Sequence, residues 1–278
     1  MLNHLALTTD YAGSRGDPGP VLRRLAEAGF RHVHWCHQWN TDYLYPADEV
    51  RRLAALFRKL DLSLNDLHAS AGRRWSWGSP WPWRRRAGIE LVRNRMAMTR
   101  DLGGDVVVMH VPRPRGWWDN RNAWWSRFRR TLDALEPFAR ERRVRIALEN
   151  MPEDNFDLIE AALDAYGPEY LGICYDAGHG NMAGNGLDRL ERRQDRLIAL
   201  HLHDNEGLKD RHWPLFRGTV DWPRLARLIA TSGYVKPVLT VESNMQNVGG
   251  QSEADFLAET IAGGTRFAAM VEASRAPS

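Results

Sequence analysis

The sequence predicts an α/β protein folded as a single (β/α)8 TIM barrel. Short runs rich in aliphatic and β-branched residues alternate with longer amphipathic stretches along the whole chain, the pattern of repeated βα units around a parallel sheet. Eight such pairs within 278 residues match the length of one barrel. Because no linker or low-complexity segment divides the chain, we expect residues 1–278 to form one domain.

The strand candidates are short apolar runs, and most of them end in a polar residue. In chain order they are HLALTT (4–9), RHVHW (31–35), LSLNDLH (62–68), DVVVMH (105–110), RVRIALE (143–149), LGICYD (171–176), LIALHLH (197–203) and PVLTVE (237–242). The reactive face of such a barrel lies where the carboxyl ends of the strands meet, so these polar residues are candidates for a shared site.

Helices are predicted between the strands, and several of them end at the glycine that commonly stops a helix. The clearest are 20–29, 48–60, 85–103 and 222–233, the last with Asp221 as its N-cap. Two stretches rich in tryptophan and arginine do not show this pattern. RRWSWGSPWPWRRR (73–86) is predicted to be a long loop over the mouth, and RPRGWWDNRNAWWSRFRR (113–130) is treated as a second loop.

Composition excludes several classes of protein. No apolar run approaches the roughly 20 residues that cross a bilayer, and residues 1–14 do not resemble a secretory signal, so we expect a soluble, cytoplasmic protein. The two cysteines, Cys36 and Cys174, lie in different segments, which argues against a disulfide scaffold. The net charge of +3 does not indicate a nucleic-acid partner, and the excess of arginine over lysine is attributed to genome composition.

Alternation along the strands directs polar side chains into the barrel. Every second residue of a barrel strand points inward. This places the terminal His, Asp or Glu of six strands on the axis, namely His68, His110, Glu149, Asp176, His201 and Glu242. His203 has the same parity as His201. Several buried carboxylates in one place repel each other and lose solvation, and a divalent cation would neutralise them.

Glu149, Asp176, His201 and Glu242 form the strongest candidate metal site. Mixed imidazole and carboxylate ligation favours Mn²⁺, with Co²⁺, Zn²⁺, Fe²⁺ or Mg²⁺ as alternatives. The predicted cofactor is therefore one divalent metal ion, and we take Mn²⁺ as the first choice.

With these residues placed, the chain resembles the xylose-isomerase-like barrel superfamily, in particular its sugar phosphate isomerase/epimerase group. The resemblance covers about residues 4–270. Its motifs are LHAS (67–70), LGGDVVVMH (102–110), ALEN (147–150), YDAGHGN (175–181), LHLHDNEG (200–207), DRHWPLFRGTVDW (210–222) and VES (241–243). Their order and spacing are specific for the superfamily and not for one substrate.

The resemblance implies a metal-dependent isomerase or epimerase of a sugar, sugar phosphate or polyol. In the ketose 3-epimerases the positions of Glu149, Asp176, His201 and Glu242 bind one metal ion, and the two glutamates carry the proton transfer through an enediolate. His179 is implied to contact substrate. A departure from the family pattern is Asn155, where those epimerases have a second glutamate, so an isomerase, dehydratase or eliminating enzyme stays open.

Further substrate contacts are assigned at the mouth. The resemblance implies them for His68, His110, Asp210 and His212. For His203 inward parity allows contact with substrate or replacement of His201 as a ligand. Trp35, with His37 and Trp39, is expected to border the second loop and stack on a sugar ring. A small sugar or polyol is the predicted partner, and barrels of this group often pair through mouth loops, so a homodimer is an open possibility.

Endonuclease IV, a phosphodiesterase with three zinc ions, shares the predicted fold and is the competing interpretation. The sequence offers a residue at each of its ligand positions, by motif order His68, His110, Glu149, Asp176, His179, His201, Asp210, His212 and Glu242. The tryptophan- and arginine-rich loops could supply a phosphate track. A catalytically silent barrel used in binding is the third possibility, although no predicted ligand is missing.

Overall fold

The computed structural model describes residues 2–13, 15–111, 114 and 120–275. Eight strands form a parallel sheet in which β1 to β7 pair in sequence order and β1 also pairs with β8. The strands are β1 (Leu2–Thr8), β2 (Phe30–Trp35), β3 (Ser63–His68), β4 (Val106–His110), β5 (Arg145–Glu149), β6 (Leu171–Asp176), β7 (Leu197–His201) and β8 (Leu239–Val241).

The barrel closes between β7 and β8 through the backbone of Leu202. Its N–H donates to the Thr240 carbonyl at 2.9 Å, and its carbonyl accepts from the N–H of Glu242 at 2.9 Å. Leu202 also forms a parallel bridge with Val241. With this closure the predicted (β/α)8 TIM barrel is confirmed.

Helices α1–α9 lie between and after the strands. They are α1 (Gly19–Glu27), α2 (Ala47–Leu60), α3 (Pro82–Asp101), α4 (Arg121–Arg142), α5 (Phe156–Ala165), α6 (Ala177–Ala183), α7 (Gly186–Glu191), α8 (Trp222–Thr231) and α9 (Glu253–Arg275). In α2, Val50, Leu53 and Phe57 recur at helical spacing and are buried against the sheet. Asp221 caps α8 as predicted, since its carboxylate accepts from the N–H of Arg224 at 3.0 Å.

The inside of the barrel confirms the predicted strand parity. Val106 and Val108 of β4, Ala147 of β5, Cys174 of β6 and Ala199 of β7 share one small buried cluster with Ile198. Val108, Ala147, Cys174 and Ala199 each lie two residues before the polar residue that ends their strand, namely His110, Glu149, Asp176 and His201. The interior apolar layer therefore ends at the layer of predicted ligands.

The tryptophan- and arginine-rich segments differ from the prediction. Residues 73–81 are irregular, but α3 begins at Pro82, so the last part of the predicted loop is helical. Proline at the first helical position has the required φ and lacks only an N–H that would have no helical partner. In the second segment Arg121 begins α4, which makes the described part after Asn120 helical, whereas residues 113 and 115–119 lie outside the described residues.

Within the described part of the chain, none of the helices combines the length and the apolar character needed to span a bilayer.

Candidate metal centre

Four strands bring the predicted ligands together at the mouth of the barrel. Glu149, Asp176 and His201 are the last residues of β5, β6 and β7, and Glu242 directly follows β8. One donor atom from each of the four lies within 4.8 Å of all the others. Nδ1 of His201 is 3.2 Å from Oε1 of Glu149 and 3.1 Å from Oε2 of Glu242. This spacing allows all four side chains to hold one cation.

The chemistry of this central group fits a cation. Both ring nitrogens of His201 and Oε2 of Glu149 are buried, and they have no hydrogen-bond partner among the described residues. Buried polar atoms without partners are costly, and a bound divalent ion would satisfy them. Burial opposes ionisation of Glu149 and Glu242, but His201 outweighs it and holds the pKa of both carboxyl groups well below the ordinary value. The two glutamates are therefore ready as anionic ligands.

A second donor group shares Glu149. His68 and His110 lie with their Nε2 atoms 3.0 Å apart and 3.6 and 3.3 Å from Oε2 of Glu149. Burial and the neighbouring His110 lower the pKa of His68 to about 3, so the His68 ring is neutral at physiological pH. A neutral imidazole beside a carboxylate can bind a metal ion.

A third donor group contains His179, His203, Asp210 and His212. Oδ2 of Asp210 lies 3.3 Å from Nε2 of His179 and 3.1 Å from Nε2 of His212. His203 stacks on His212 with ring centroids 3.9 Å apart, and its Nε2 is 3.0 Å from Oδ1 of Asp176. His203 thus belongs to the third group and does not take the position of His201.

Protons compete with metal ions at the third group. Burial lowers the pKa of both histidines, but Asp176 with Asp210 raises that of His179 to about 10, and Asp210 with Glu242 raises that of His212 to about 10. In the metal-free protein the two protonated histidines therefore stabilise the folded state. Their contribution to the free energy of unfolding is complete below the unfolded pKa of about 6.5 and is lost as pH rises through about 10. A metal ion at this group must displace these protons at neutral pH.

We therefore expect Zn²⁺ binding to release protons at pH 7 and to strengthen as pH rises towards 10. Calorimetric titrations in two buffers of different ionisation enthalpy measure the number of protons released. His179→Gln should release fewer protons than the wild type, because it lacks one of the two protonated histidines of the third group. The central group is left intact in this variant. Equal proton release by the two proteins would contradict this description of the third group.

A buried carboxylate holds the loop that carries Asp210 and His212. Asp204 accepts hydrogen bonds from the backbone N–H of Asn205 at 2.9 Å, the N–H of Val220 at 3.2 Å and Nε1 of Trp222 at 2.9 Å. Its backbone also pairs with that of Trp213 in an antiparallel bridge. The loop is thereby fixed at both ends over the mouth.

Replacing Asp204 by alanine is expected to lower the free energy of unfolding by about 2–4 kcal/mol, because three buried donors lose their acceptor. Chemical denaturation of the metal-free protein measures this loss. Asp221→Ala, which removes an exposed helix cap nearby, should cost only about 1 kcal/mol. Similar losses for the two variants would show that Asp204 does not anchor the loop.

The donor groups open into a cavity of about 440 Å³, which is within the size range of small-molecule sites. Its lining includes Thr8, Asp10, Trp39, His68, His110, Glu149, Met151, His179, Asp210, His212 and Glu242. The predicted substrate contacts at His68, His110, His179, Asp210 and His212 therefore border one space, and His203 is not part of this lining.

Trp35 lies elsewhere, which corrects the expectation that it stacks on substrate. It has no exposed surface, donates from Nε1 to the Tyr45 hydroxyl at 3.2 Å and packs on Phe57 of α2. Since His34 points inward, alternation turns Trp35 towards the helices. Trp39 instead reaches the cavity, with its ring 5.1 Å from that of His68.

Asn155, the departure from the epimerase pattern, has a backbone role. Its side-chain nitrogen donates to the carbonyls of Val111 and Glu149, and its oxygen accepts from the N–H of Met151 at 2.9 Å. Asn155 is fully buried below the loop after β5. It therefore fixes the backbone of Glu149 and does not extend into the cavity.

Sequence reasoning missed a buried pair beneath the central group. Nδ1 of His34 bonds to Asp66, and its Nε2 lies 3.8 Å from Oε1 of Glu242. The His34 ring also packs edge-on against that of His201, with centroids 4.5 Å apart. The sequence alone does not reveal this pair, because it depends on how β2 and β3 pair.

The sequence matches the family model described as "Xylose isomerase-like TIM barrel" over residues 22–260. The chain belongs to this family. A relative in Sinorhizobium fredii (strain NBRC 101917 / NGR234), the "Uncharacterized protein y4fM", is 30% identical over 280 residues. That alignment covers 91% of this xylose isomerase-like chain and 89% of the relative. The resemblance inferred from the motifs is confirmed.

Two solved structures share the fold of this xylose isomerase-like barrel. A D-tagatose 3-epimerase-like protein superposes with a TM-score of 0.78 at 21% identity, covering 98% of this chain and 100% of the other. An L-ribulose 3-epimerase gives a TM-score of 0.76 at 18% identity, covering 98% and 96%. At these identities the likeness establishes the architecture.

The chain also has a weaker sequence similarity to a protein named as an endonuclease. A "Probable endonuclease 4" of Mycobacterium leprae (strain Br4923) is 27% identical over 177 residues, which covers 59% of this chain and 66% of that protein.

Proposed function

We propose that the chain is a divalent-metal-dependent isomerase or epimerase of a sugar or related polyol. The observation that carries the proposal is the central group, in which the donors of Glu149, Asp176, His201 and Glu242 lie within 4.8 Å of one another below a cavity of small-molecule size. The architecture shared with sugar 3-epimerases supports the same class.

The central group fits the cation, with Mn²⁺ the first choice for three carboxylates and one imidazole. A bound divalent cation would polarise a carbonyl and the hydroxyl on the next carbon, which acidifies the proton on that hydroxyl-bearing carbon. Asp176 and His201 serve as ligands in this arrangement. The N–H of His179 donates to Oδ1 of Asp176 at 2.7 Å and fixes the orientation of that carboxylate.

Glu149 and Glu242 move the protons. Each has a carboxylate oxygen within 3.2 Å of the same nitrogen of His201, so the two glutamates border the reacting carbons from different strands. One removes the proton beside the carbonyl and the other returns a proton, in either order. Removal of the C3 proton of a 2-ketose and return to the opposite face of C3 gives the 3-epimer, whereas removal of a C1 proton and return to C2 gives an aldose.

Solvent exchange tests the proposal. The Mn²⁺-loaded protein is incubated in D₂O with a panel of ketoses and keto-polyols, and NMR follows deuterium at the carbon beside the carbonyl. We expect incorporation into at least one compound, with the product identifying epimerisation or isomerisation. A metal-loaded protein that labels no compound in the panel would contradict the proposal.

A trinuclear phosphodiesterase is the second candidate, because two further groups of histidine and carboxylate donors flank the central group among the described residues. Glu149 joins the first and second groups, and Asp176 links the first and third through its contacts with His179 and His203. Metal analysis separates the candidates. About one Mn²⁺, Co²⁺ or Mg²⁺ per chain supports the isomerase class, about three Zn²⁺ support the phosphodiesterase, and a protein that binds none supports a silent barrel.

A further inference from the structure

A second cavity adjoins the metal centre. It has a volume of about 580 Å³ and shares His68, His110, Met151 and Glu153 with the cavity over the donor groups. The loop after β3 and the first turns of α3 and α4 provide the rest of its lining. A ligand bound at the central group can therefore extend past the two histidines into this space.

The lining of the second cavity is basic. Arg73, Arg74 and Arg84 border it, and within the described part of the chain none of the three has an ion-pair partner. The two segments that form this side, residues 72–89 and 120–132, contain no acidic residue. Among the described residues of the lining Glu153 is the acidic side chain, and it has an interaction of its own. The cavity thus carries excess positive charge.

The loop that carries Arg73 and Arg74 is held in place at its start. The Asp42 carboxylate accepts from the backbone N–H of Arg73 at 2.8 Å, of Arg74 at 2.9 Å and of Trp75 at 3.1 Å. Three consecutive N–H groups on one carboxylate fix the backbone from which both arginines project. Less ordering is therefore required when a ligand binds.

The end of the same loop is also held. The carbonyl of Trp77 accepts from the Thr131 hydroxyl at 2.9 Å, and that of Ser79 accepts from Nη1 of Arg85 at 3.0 Å. Trp77 itself is buried against Phe128 of α4. The loop is therefore a fixed wall between α3 and α4.

The two helices that flank this wall add to its positive character. No acidic residue occurs in the first turn of α3 or α4, where the helix dipole would favour one. Burial, followed by the charges of Arg130, Arg127 and Arg86, lowers the pKa of Arg85. Such a positive potential in a concave space favours an anion.

We propose that the second cavity binds an anionic substituent, a phosphate ester or a carboxylate, of the sugar whose reacting carbons lie at the central group. The inference rests on the proposed function for the position of the reacting carbons, and it specifies the substrate class as an acidic sugar. Arg73 and Arg74 meet the anion from the fixed loop, and Arg84 meets it from the first turn of α3.

Binding of matched ligands tests this inference. Calorimetry with the Mn²⁺-loaded protein compares D-fructose, D-fructose 6-phosphate and D-tagaturonate, the last two distinguishing a phosphate ester from a carboxylate. We expect at least one acidic ligand to bind about tenfold more tightly than D-fructose, as three partly exposed charge pairs would give. The preference should decrease at high ionic strength.

Two triple variants locate the anion. Arg73→Gln, Arg74→Gln and Arg84→Gln together should abolish the preference for the acidic ligand. The matched control combines Arg51→Gln, Arg58→Gln and Arg100→Gln, three exposed arginines that line neither cavity, and should retain the preference. Melting temperatures and Mn²⁺ binding of both variants verify that the barrel is folded.

Three results would overturn the inference. They are equal affinity for neutral and acidic sugars, an acid preference that persists in the Arg73/Arg74/Arg84 variant, and tight binding of an abasic DNA duplex through these arginines without preference among sugars. The deuterium experiment separates the two proposals. Labelling of neutral ketoses without any acid preference leaves the proposed function standing, whereas an arginine-dependent acid preference without labelling of any sugar leaves only the anion site.

Discussion

Replacing Glu149 or Glu242 by glutamine is expected to lower the rate of deuterium incorporation by about 10²–10⁴-fold, the usual contribution of a general acid or base. Glutamine keeps the size of the side chain and one oxygen that can face the cation, but it cannot accept the proton. NMR measurement of exchange into a reactive ketose at saturating Mn²⁺ gives the ratio directly.

The control for this experiment is Glu141→Gln, an exposed residue at the end of α4, which should retain the wild-type rate. Mn²⁺ binding is measured for each variant, because both glutamates also belong to the central group. Full exchange in Glu149→Gln and in Glu242→Gln would refute the assignment of the acid/base pair.

Binding of Mn²⁺ is expected to raise the free energy of unfolding by about 2.7 kcal/mol when the free ion is present at 100 times its dissociation constant. The increase arises because the four donors meet only in the folded barrel, and the ion relieves the repulsion between buried carboxylates. Denaturation with and without a chelator measures it.

Asp176→Asn should lose most of this stabilisation, since the amide carries no charge and is a weaker ligand. Asp101→Asn, an exposed residue at the end of α3, makes the same chemical change away from the centre and should behave as the wild type. An equal response of the two variants to Mn²⁺ would place the ion outside the central group.

The fold and the central group follow from local patterns. Strand runs and their alternation directed Glu149, Asp176 and His201 to one end of the barrel, because a parallel barrel leaves only one place for strand ends to meet. The position of Trp35 beside the second loop predicts a place at the mouth, but alternation with the inward His34 turns it towards α2.

Features that depend on tertiary contacts could not be predicted. The Asp66–His34 pair requires the register between β2 and β3, and the fixed loop requires Asp42, which is about 30 residues away in sequence. The high tryptophan and proline content of residues 73–86 predicts a loop, but α3 begins at Pro82. Proline is favourable at the first position of a helix, so composition alone misplaces this helix start.

The barrel closes at the β7/β8 junction through Leu202, with His201 on the β7 side and Glu242 on the β8 side. Because only two backbone hydrogen bonds of the described residues join the strands here, local opening of the metal-free barrel should require the least free energy at this junction. A cation bound by both His201 and Glu242 would link the two sides of the junction. Slower hydrogen exchange of the Leu202 and Glu242 amides after Mn²⁺ is added would show that the ion also stabilises the closure of the barrel.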